Sequence, residues 1–372
     1  MALECYYAEK RRKMSKKMIK ETVWGDTRQV LLISSKTNKT GVGRYEEILK
    51  DAMKKVCNFL TISPIYFFTY PLLIKEEKNT ERKKQIIHIT NQQLAFPLYM
   101  MNKEQRRRCI VTVHDVIPMQ YPLFKQAAHL RWKAVDQFFF KKSLHAIAKA
   151  GMVICISHAT KKAFLAHVNC PEEKVKVIYE YPAQEFKEKK IKRNQYDILY
   201  VGSEMPHKNV GVLLKALAEV KKTIEEVRLI KVGRAQWPGA RESLMKQARE
   251  MGIEDSIVWY DEVADLVDLY NRVALVVHPS LHEGFGFLVV EAMACGCPVL
   301  CSSRDSLPEL GGDAAMYFNP ENEQELAEKI IMILENKYMQ GQMRKKGLKQ
   351  VKNFNEKRFE EQMTALYNSM GK

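Results

Sequence analysis

The stretch Pro279-Ser280-Leu281-His282-Glu283-Gly284-Phe285-Gly286-Phe287-Leu288-Val289-Val290-Glu291-Ala292-Met293-Ala294-Cys295-Gly296-Cys297-Pro298-Val299 decides how this chain is read. Ahead of it, the apolar run Val273 to His278 predicts a buried strand. The Gly-containing loop then predicts a tight turn, and the segment beyond it a short helix ending at Gly296. Such a turn leaves backbone N–H groups without intrahelical partners at a helix N-terminus, which is a ready anion site. Glu283, just before that helix, and Glu291, inside it, flank this site.

Two Glu eight residues apart carry little alone, and a Gly-rich strand-to-helix turn is common to doubly wound α/β proteins. The combination is far more specific. It joins the Pro-Ser before the first Glu, the Gly-Phe-Gly after it, and the Ala-Met-Ala-Cys-Gly-Cys-Pro-Val exit. Amides for a phosphate and two carboxylates for hydroxyl-rich groups describe a sugar-nucleotide pocket. The segment resembles the E-x7-E signature of retaining glycosyltransferases of the two-Rossmann-domain (GT-B) type, and among them family 4, the glycosyl transferases group 1. The resemblance implies an α/β fold with two Rossmann-like domains facing across a cleft and a C-terminal helix crossing back to the first domain. It also implies a nucleoside-diphosphate sugar as donor, a hydroxyl acceptor, and neither metal nor other cofactor.

The 372 residues suffice for two domains, and a 46% hydrophobic fraction argues for ordinary globular cores. The net charge of +16 is unevenly placed: residues 1–186 hold 33 Lys and Arg against 17 Asp and Glu, while the remainder balances 27 against 27. A basic half suits nucleic acid or an anionic membrane, although a merely solvated face is the commonest source of such charge. No recognisable nucleic-acid module accompanies it, so no nucleic-acid partner is expected. Given the resemblance, an anionic membrane surface or a phosphate-bearing acceptor is the expectation.

The basic opening lacks an apolar signal-peptide core, and the longest uncharged run, Val56 to Ile74, contains Pro64 and Pro71. It reads as strand and loop, so the expected place is the cytoplasm, peripheral on the inner face of the membrane. Eight Cys (5, 57, 109, 155, 170, 295, 297 and 301) show no paired spacing and mostly fall in apolar runs, as reduced thiols do. Cys295, Cys297 and Cys301 follow His278 and His282, but C-x-C-x3-C is no common zinc spacing, and these residues read as packing groups.

Along the chain, residues 1–27 form a basic extension whose Met14, Met18 and Trp24 among many Lys and Arg suit an interfacial helix or, equally, a solvated helix packed on its own domain. Strands at Val30 to Ser34, Ile86 to Thr90, Cys109 to His114, Met152 to Ser157 and Val175 to Tyr179 alternate with helices at Arg44 to Asn58 and Leu130 to Ala150. They make an N-terminal acceptor domain, 28–186. A charged stretch, Ala183 to Tyr196, is the linker candidate. The alternation restarts in a nucleotide-sugar domain, 187–353, with strands ending at Val201, Val232, Tyr260, His278 and Ser302. A last helix, within 354–372, carries Phe359, Met363, Leu366 and Tyr367 on one face.

The resemblance assigns roles residue by residue. Glu283 faces the transferred sugar, Glu291 takes the ribose hydroxyls, and amides near Phe287, Leu288 and Val289 take the diphosphate, with Gly284, Phe285 and Gly286 shaping the turn. Gly202-Ser203-Glu204-Met205-Pro206-His207-Lys208-Asn209 looks like the family's phosphate loop, with Lys208 on the pyrophosphate. Many relatives place an Arg near Ser203, and its absence here leaves the partner cation open. Arg234 lies near phosphate or base. Gly41 and Gly43 look like the interdomain glycine loop, and His114, in His114-Asp115-Val116-Ile117-Pro118, like the His that contacts the donor sugar. Asn91, Gln92, Asp115 and Ser157 are the acceptor-side candidates. One departure stands out: Glu180-Tyr181-Pro182 replaces the Asn-Gly common in relatives.

Overall fold

The computed structural model describes residues 28–33, 41–54, 57–62, 85–120, 134–236 and 238–370. The basic extension 1–27 and most of the run from Val56 to Ile74 lie outside the described residues.

Among the described residues the chain builds two parallel sheets. The first comprises β1 (Arg28–Ile33), β2 (Cys57–Ile62), β3 (Ile86–Ile89), β4 (Cys109–Val113), β5 (Met152–Cys155) and β6 (Val175–Val177), in the order β2-β1-β3-β4-β5-β6. The second comprises β7 (Asn194–Val201), β8 (Arg228–Val232), β9 (Ile257–Tyr260), β10 (Val273–His278), β11 (Val299–Ser302) and β12 (Met316–Phe318), in the order β12-β11-β10-β7-β8-β9. Parallel neighbours require crossovers. Helices α1 (Gly41–Met53), α2 (Ala134–Ile147) and α3 (His158–His167) serve the first sheet, and α4 (Val210–Lys221), α5 (Ala240–Glu250) and α6 (Phe287–Ala294) the second. Helices α7 (Glu323–Glu335), α8 (Lys337–Gln350) and α9 (Glu356–Ser369) complete the chain.

The central strands explain their own composition. In β4, Cys-Ile-Val-Thr-Val, and in β10, Val-Ala-Leu-Val-Val-His, every residue is buried. A strand covered on both faces has no reason to alternate polar and apolar side chains. Strand order reverses between β1 and β3 in the first sheet and between β7 and β10 in the second. In open α/β sheets the crevice beyond the carboxyl ends at such a reversal is where ligands bind. The loops that follow β7 and β10 therefore flank the crevice of the second domain.

Helix α9 crosses back to the first domain, as the resemblance implied. Its buried Phe359, Met363, Leu366 and Tyr367 follow the helical repeat. Tyr367 Oη lies 2.8 Å from His88 Nδ1 on β3, and the Phe359 ring packs edge-on against Tyr181 at 5.6 Å.

Three expectations shift. The helix read as Arg44 to Asn58 starts earlier, at Gly41, and ends at Met53 because β2 begins at Cys57. The charged linker ends sooner, since β7 takes over from Asn194. Strand β12 is three residues long, too short for its alternation to register in sequence.

Candidate functional site

Two loops of the second domain are stitched together beyond β7 and β10. Leu281 N–H donates to the His207 carbonyl at 2.7 Å. Asn209, held at φ 57° as Asn tolerates better than most residues, donates from Nδ2 to the carbonyls of Pro279 (3.1 Å) and Pro320 (2.7 Å). This stitching sets Lys208 Nζ 2.6 Å from Glu283 Oε1. The same oxygen meets His278 Nε2 at 2.7 Å and accepts from Ser280 Oγ at 2.8 Å. Burial works to raise the Glu283 carboxyl, but Lys208 and then His278 outweigh it and hold the group well below the usual range. Beneath the loop, Asp305 accepts from the Glu283 N–H at 3.0 Å, and Ser306 donates to the carbonyl of Phe285.

The head of α6 is set by Gly286 at φ 110°, a conformation that favours glycine; a Cβ there would also meet Leu307 Cδ2 at 2.7 Å. No side chain caps this helix, whose first turn is Phe287, Leu288 and Val289. Phe285 packs under it, ring centroids 5.1 Å from Phe287. Glu291 is the polar exception in an otherwise apolar, buried helix. Tyr270 Oη donates to its Oε2 at 2.7 Å, and Arg44, from α1 of the opposite domain, donates to its Oε1. The Arg44 guanidinium lies 4.1 Å from the Phe287 ring centroid and 5.5 Å from that of Phe186.

The first domain meets these loops directly. Ser157, the N-cap of α3, donates from Oγ to the Gly284 carbonyl at 2.6 Å, and Thr160 Oγ1 donates to it at 3.0 Å. Glu309 accepts from the N–H groups of His158 (2.9 Å) and Ala159 (3.0 Å), and from Tyr179 Oη at 2.8 Å. A Cβ on Gly284 would run into the His114 carbonyl oxygen, so glycine permits this approach of the two backbones.

His114 sits at the cleft end of β4, but its ring turns toward its own domain. Nε2 lies 2.8 Å from the Thr90 carbonyl, so it carries the proton, and Nδ1 faces Glu180 Oε1 at 3.8 Å, beyond hydrogen-bonding distance. Burial pushes the imidazole down to about 4, so the ring is neutral at pH 7. Burial likewise pushes Glu180 up to about 8, against the opposing charge of Arg44. Its Oε1 finds no hydrogen-bond partner among the described residues.

The other expected residues fall in different places. Gln92 spans β3 and β4, accepting from the His114 N–H and donating to the Asp115 carbonyl, both at 3.1 Å. Asn91 accepts from the Gln93 N–H at 2.9 Å, and Asp115 from that of Ile117 at 3.1 Å. Burial raises the Asp115 carboxyl, with Lys208 opposing it across the cleft. Gly41 and Gly43 lie in the first turn of α1, not in a free loop, and Ser203 and Gly202 follow β7. Arg234 is outside the cluster, half-exposed and 2.9 Å from Glu262. Cys295, Cys297 and Cys301 are buried free thiols under the loop.

Sequence reasoning missed His278, Ser280, Tyr270 and Asp305 as site groups. Asp305 and His278 had a usable signal, since His278 ends β10, which borders the reversal, and Asp305 follows the neighbouring β11. Tyr270 had none.

Residues 183–350 match the family model for glycosyl transferases group 1, and residues 33–180 that for glycosyltransferase family 4. The O-antigen chain mannosyltransferase RfbU of Salmonella typhimurium is 32% identical over 58% of this chain and 58% of its own. The O-antigen chain mannosyltransferase B of Escherichia coli is 27% identical over 66% of each. The aligned parts thus span 58% and 66% of these relatives' own lengths. Among solved structures, Anabaena HepE in complex with UDP and glucose superposes with a TM-score of 0.71 at 18% identity, over 92% of this chain and 100% of that one. WaaG, a glycosyltransferase involved in lipopolysaccharide biosynthesis, superposes at 0.70 and 13%, over 91% and 99%. Two parallel-sheet domains, two adjoining family matches and these superpositions agree: the chain belongs to the group 1, family 4 glycosyltransferases and has the GT-B fold.

Proposed function

We propose that this chain moves a hexose from a nucleoside-diphosphate sugar to a hydroxyl acceptor with retention of anomeric configuration. The observation that carries this reading is the Lys208–Glu283 pair at the strand-order reversal, beside the uncapped head of α6. Lys208 acts as a point charge on the diphosphate and stabilises the leaving group as the sugar–phosphate bond breaks. The helix head supports the same anion. Glu283, kept ionised by its neighbours, faces the positive charge that develops at the anomeric carbon. Glu291 takes the ribose hydroxyls, and His114, its ring turned into its own domain, borders the sugar side of the cleft through its backbone, which Gly284 approaches. In same-face attack the acceptor oxygen bonds to the anomeric carbon while its proton passes to the departing phosphate oxygen. Catalysis then rests on positioning and charge, and calls for no metal.

The names of the relatives support mannose as the hexose and a cell-surface glycan as the acceptor. A membrane-surface acceptor has a further support in the first domain. Tyr99, Met100, Phe138 and Phe139 are exposed together, and Lys142 and Lys149 lie 5.4 Å and 5.5 Å from the rings of Phe138 and Tyr99. Aromatic side chains rimmed by lysines suit the interface of an anionic bilayer, here its cytoplasmic face. Among the described residues no helix is long and apolar enough to cross it.

Mass spectrometry of products from a panel of nucleotide sugars, with lipid-linked and free-sugar acceptors and EDTA present, tests the reading, and NMR of the product reports the anomer. An inverted linkage removes the mechanism. A product formed only on free sugars removes the membrane acceptor. Neither transfer nor donor hydrolysis with any sugar nucleotide leaves a basic binding protein instead.

A further inference from the structure

From the second domain, Lys208 is the cation bonded to Glu283, Lys231 and Arg241 being engaged with Glu204 behind the loop, and Gly202 to Asn209 contains no arginine. The opposite domain delivers a second cation to the same place. Arg44 stands in the first turn of α1, and its guanidinium stacks on Phe287, the first residue of the helix whose head is read as the diphosphate seat. It is also bonded to Glu291, the carboxylate read as the ribose acceptor, whose other oxygen is taken by Tyr270. Lys208 and Glu283 form the same kind of pair on the sugar side.

We infer that Arg44 is the second diphosphate-binding cation, carried by the first domain and parked on Glu291 until a nucleotide takes that carboxylate. The inference rests on the proposed function of this pocket. A ribose reaching Glu291 replaces the N–H donor of Arg44 with neutral hydroxyl donors. The guanidinium, freed one helix turn from the diphosphate, gains a doubly charged acceptor that its planar fork can bind in bidentate fashion. The aromatic faces of Phe287 and Phe186 keep it from wandering, which limits the entropy lost on rebinding. Because the cation comes from one domain and the amides from the other, the diphosphate ties the two together across the cleft.

Two simpler roles predict the opposite. If Arg44 only blocks the ribose seat, its removal strengthens nucleotide binding. If it only ties the domains, its removal acts equally on every ligand. Isothermal titration of the full chain, Arg44→Ala and Arg44→Lys with uridine, guanosine, UDP and GDP separates these. The wild-type chain is expected to bind one of the two diphosphates. Arg44→Ala is expected to lose at least tenfold in affinity for it, with affinity for the matching nucleoside unchanged or higher, and Arg44→Lys to fall between. Diphosphate affinity equal to or tighter than wild type in Arg44→Ala overturns the inference, as does an equal loss for nucleoside and diphosphate. Failure of the wild-type chain to bind either diphosphate takes down the reading of the pocket itself, a result distinguishable from both.

Discussion

Lys208 Nζ lies 2.6 Å from Glu283 Oε1, although 75 residues separate the two in sequence. The contact exists because β7 and β10 are neighbours in the second sheet and their following loops are bonded to each other. An ammonium and a carboxylate so paired nearly cancel; in the function proposed above, an entering diphosphate would draw the ammonium away and leave the acid facing the sugar.

That exchange sets the first expectation. Lys208→Ala and Glu283→Gln should each lower kcat/KM by about 100-fold or more, the scale of losing one preorganised charge at a reacting centre. The double variant should lose less than the product of the two, because each single change already breaks the shared contact. Steady-state kinetics on all three proteins checks this; strict multiplicativity would place the residues in separate roles.

The interdomain contact yields a second expectation. Ser157 and Thr160 grip the Gly284 carbonyl, and glycine is what lets that backbone reach His114. Gly284→Ala should hold the loop off the first domain while leaving both sheets intact. Small-angle scattering should then report a larger radius of gyration, and kcat/KM should fall by about 100-fold, as for a misplacement of catalytic groups by about 1 Å. An unchanged scattering curve with normal turnover would contradict it.

The fold and much of the site were legible for a physical reason. His114 ends an apolar run, Glu283 and Lys208 stand in the turn segments that follow two others, and Glu291 sits in the helix after one of those turns; parallel sheets gather such positions at one edge. What the sequence could not reveal is how those groups pair. Arg44 was visible inside Gly41-Val42-Gly43-Arg44-Tyr45, yet its partner lies 247 residues away in another domain. The orientation of His114 was equally hidden, because it depends on Thr90 and Glu180, which lie just beyond two other strands, β3 and β6. Glu180 was noticed only as a departure from a pattern, and its burial could not be read from a turn-like Glu-Tyr-Pro.

A buried triad behind the loop that follows β7 gives a stability prediction. Lys231, with no exposed surface, donates to Glu204 Oε1 at 2.5 Å and to the Gly233 carbonyl at 2.6 Å, and Arg241 donates to the same Glu204 oxygen. Burial lowers the Lys231 ammonium, and the hydrogen bond and charge of Glu204 oppose that shift. Glu204→Ala leaves that charge uncompensated and should cost about 3–5 kcal/mol. Lys231→Met leaves Glu204 its arginine and should cost less. Denaturant titration of the two variants gives the order; the reverse order would mean that Lys231 holds the fold more through the Gly233 carbonyl than through the carboxylate.

Glu180 supplies the last prediction, through pH. Burial places its folded value at about 8, against about 4.3 in an unfolded chain. The unfolded chain therefore gives up this proton at a lower pH than the folded protein does. The folded state pays no penalty below pH ~4. Between there and about 8 the unfolded state grows steadily more favoured, and beyond it the loss is complete. Glu180→Gln keeps the shape of the neutral acid and abolishes the titration. At pH 7 the variant should be the more stable, by on the order of 3 kcal/mol, and the advantage should shrink toward zero as pH falls to about 4. The groups facing Glu180 are Arg44 from α1, Tyr45 beside it and His114 from β4. His114 is already neutral at pH 7, so its titration falls at the acid end of the window and leaves the neutral range to Glu180. Chemical denaturation of both proteins at several pH values measures the difference directly. A gap that does not change between pH 5 and 8 would mean that Glu180 is ionised in the fold, with Arg44 holding it so.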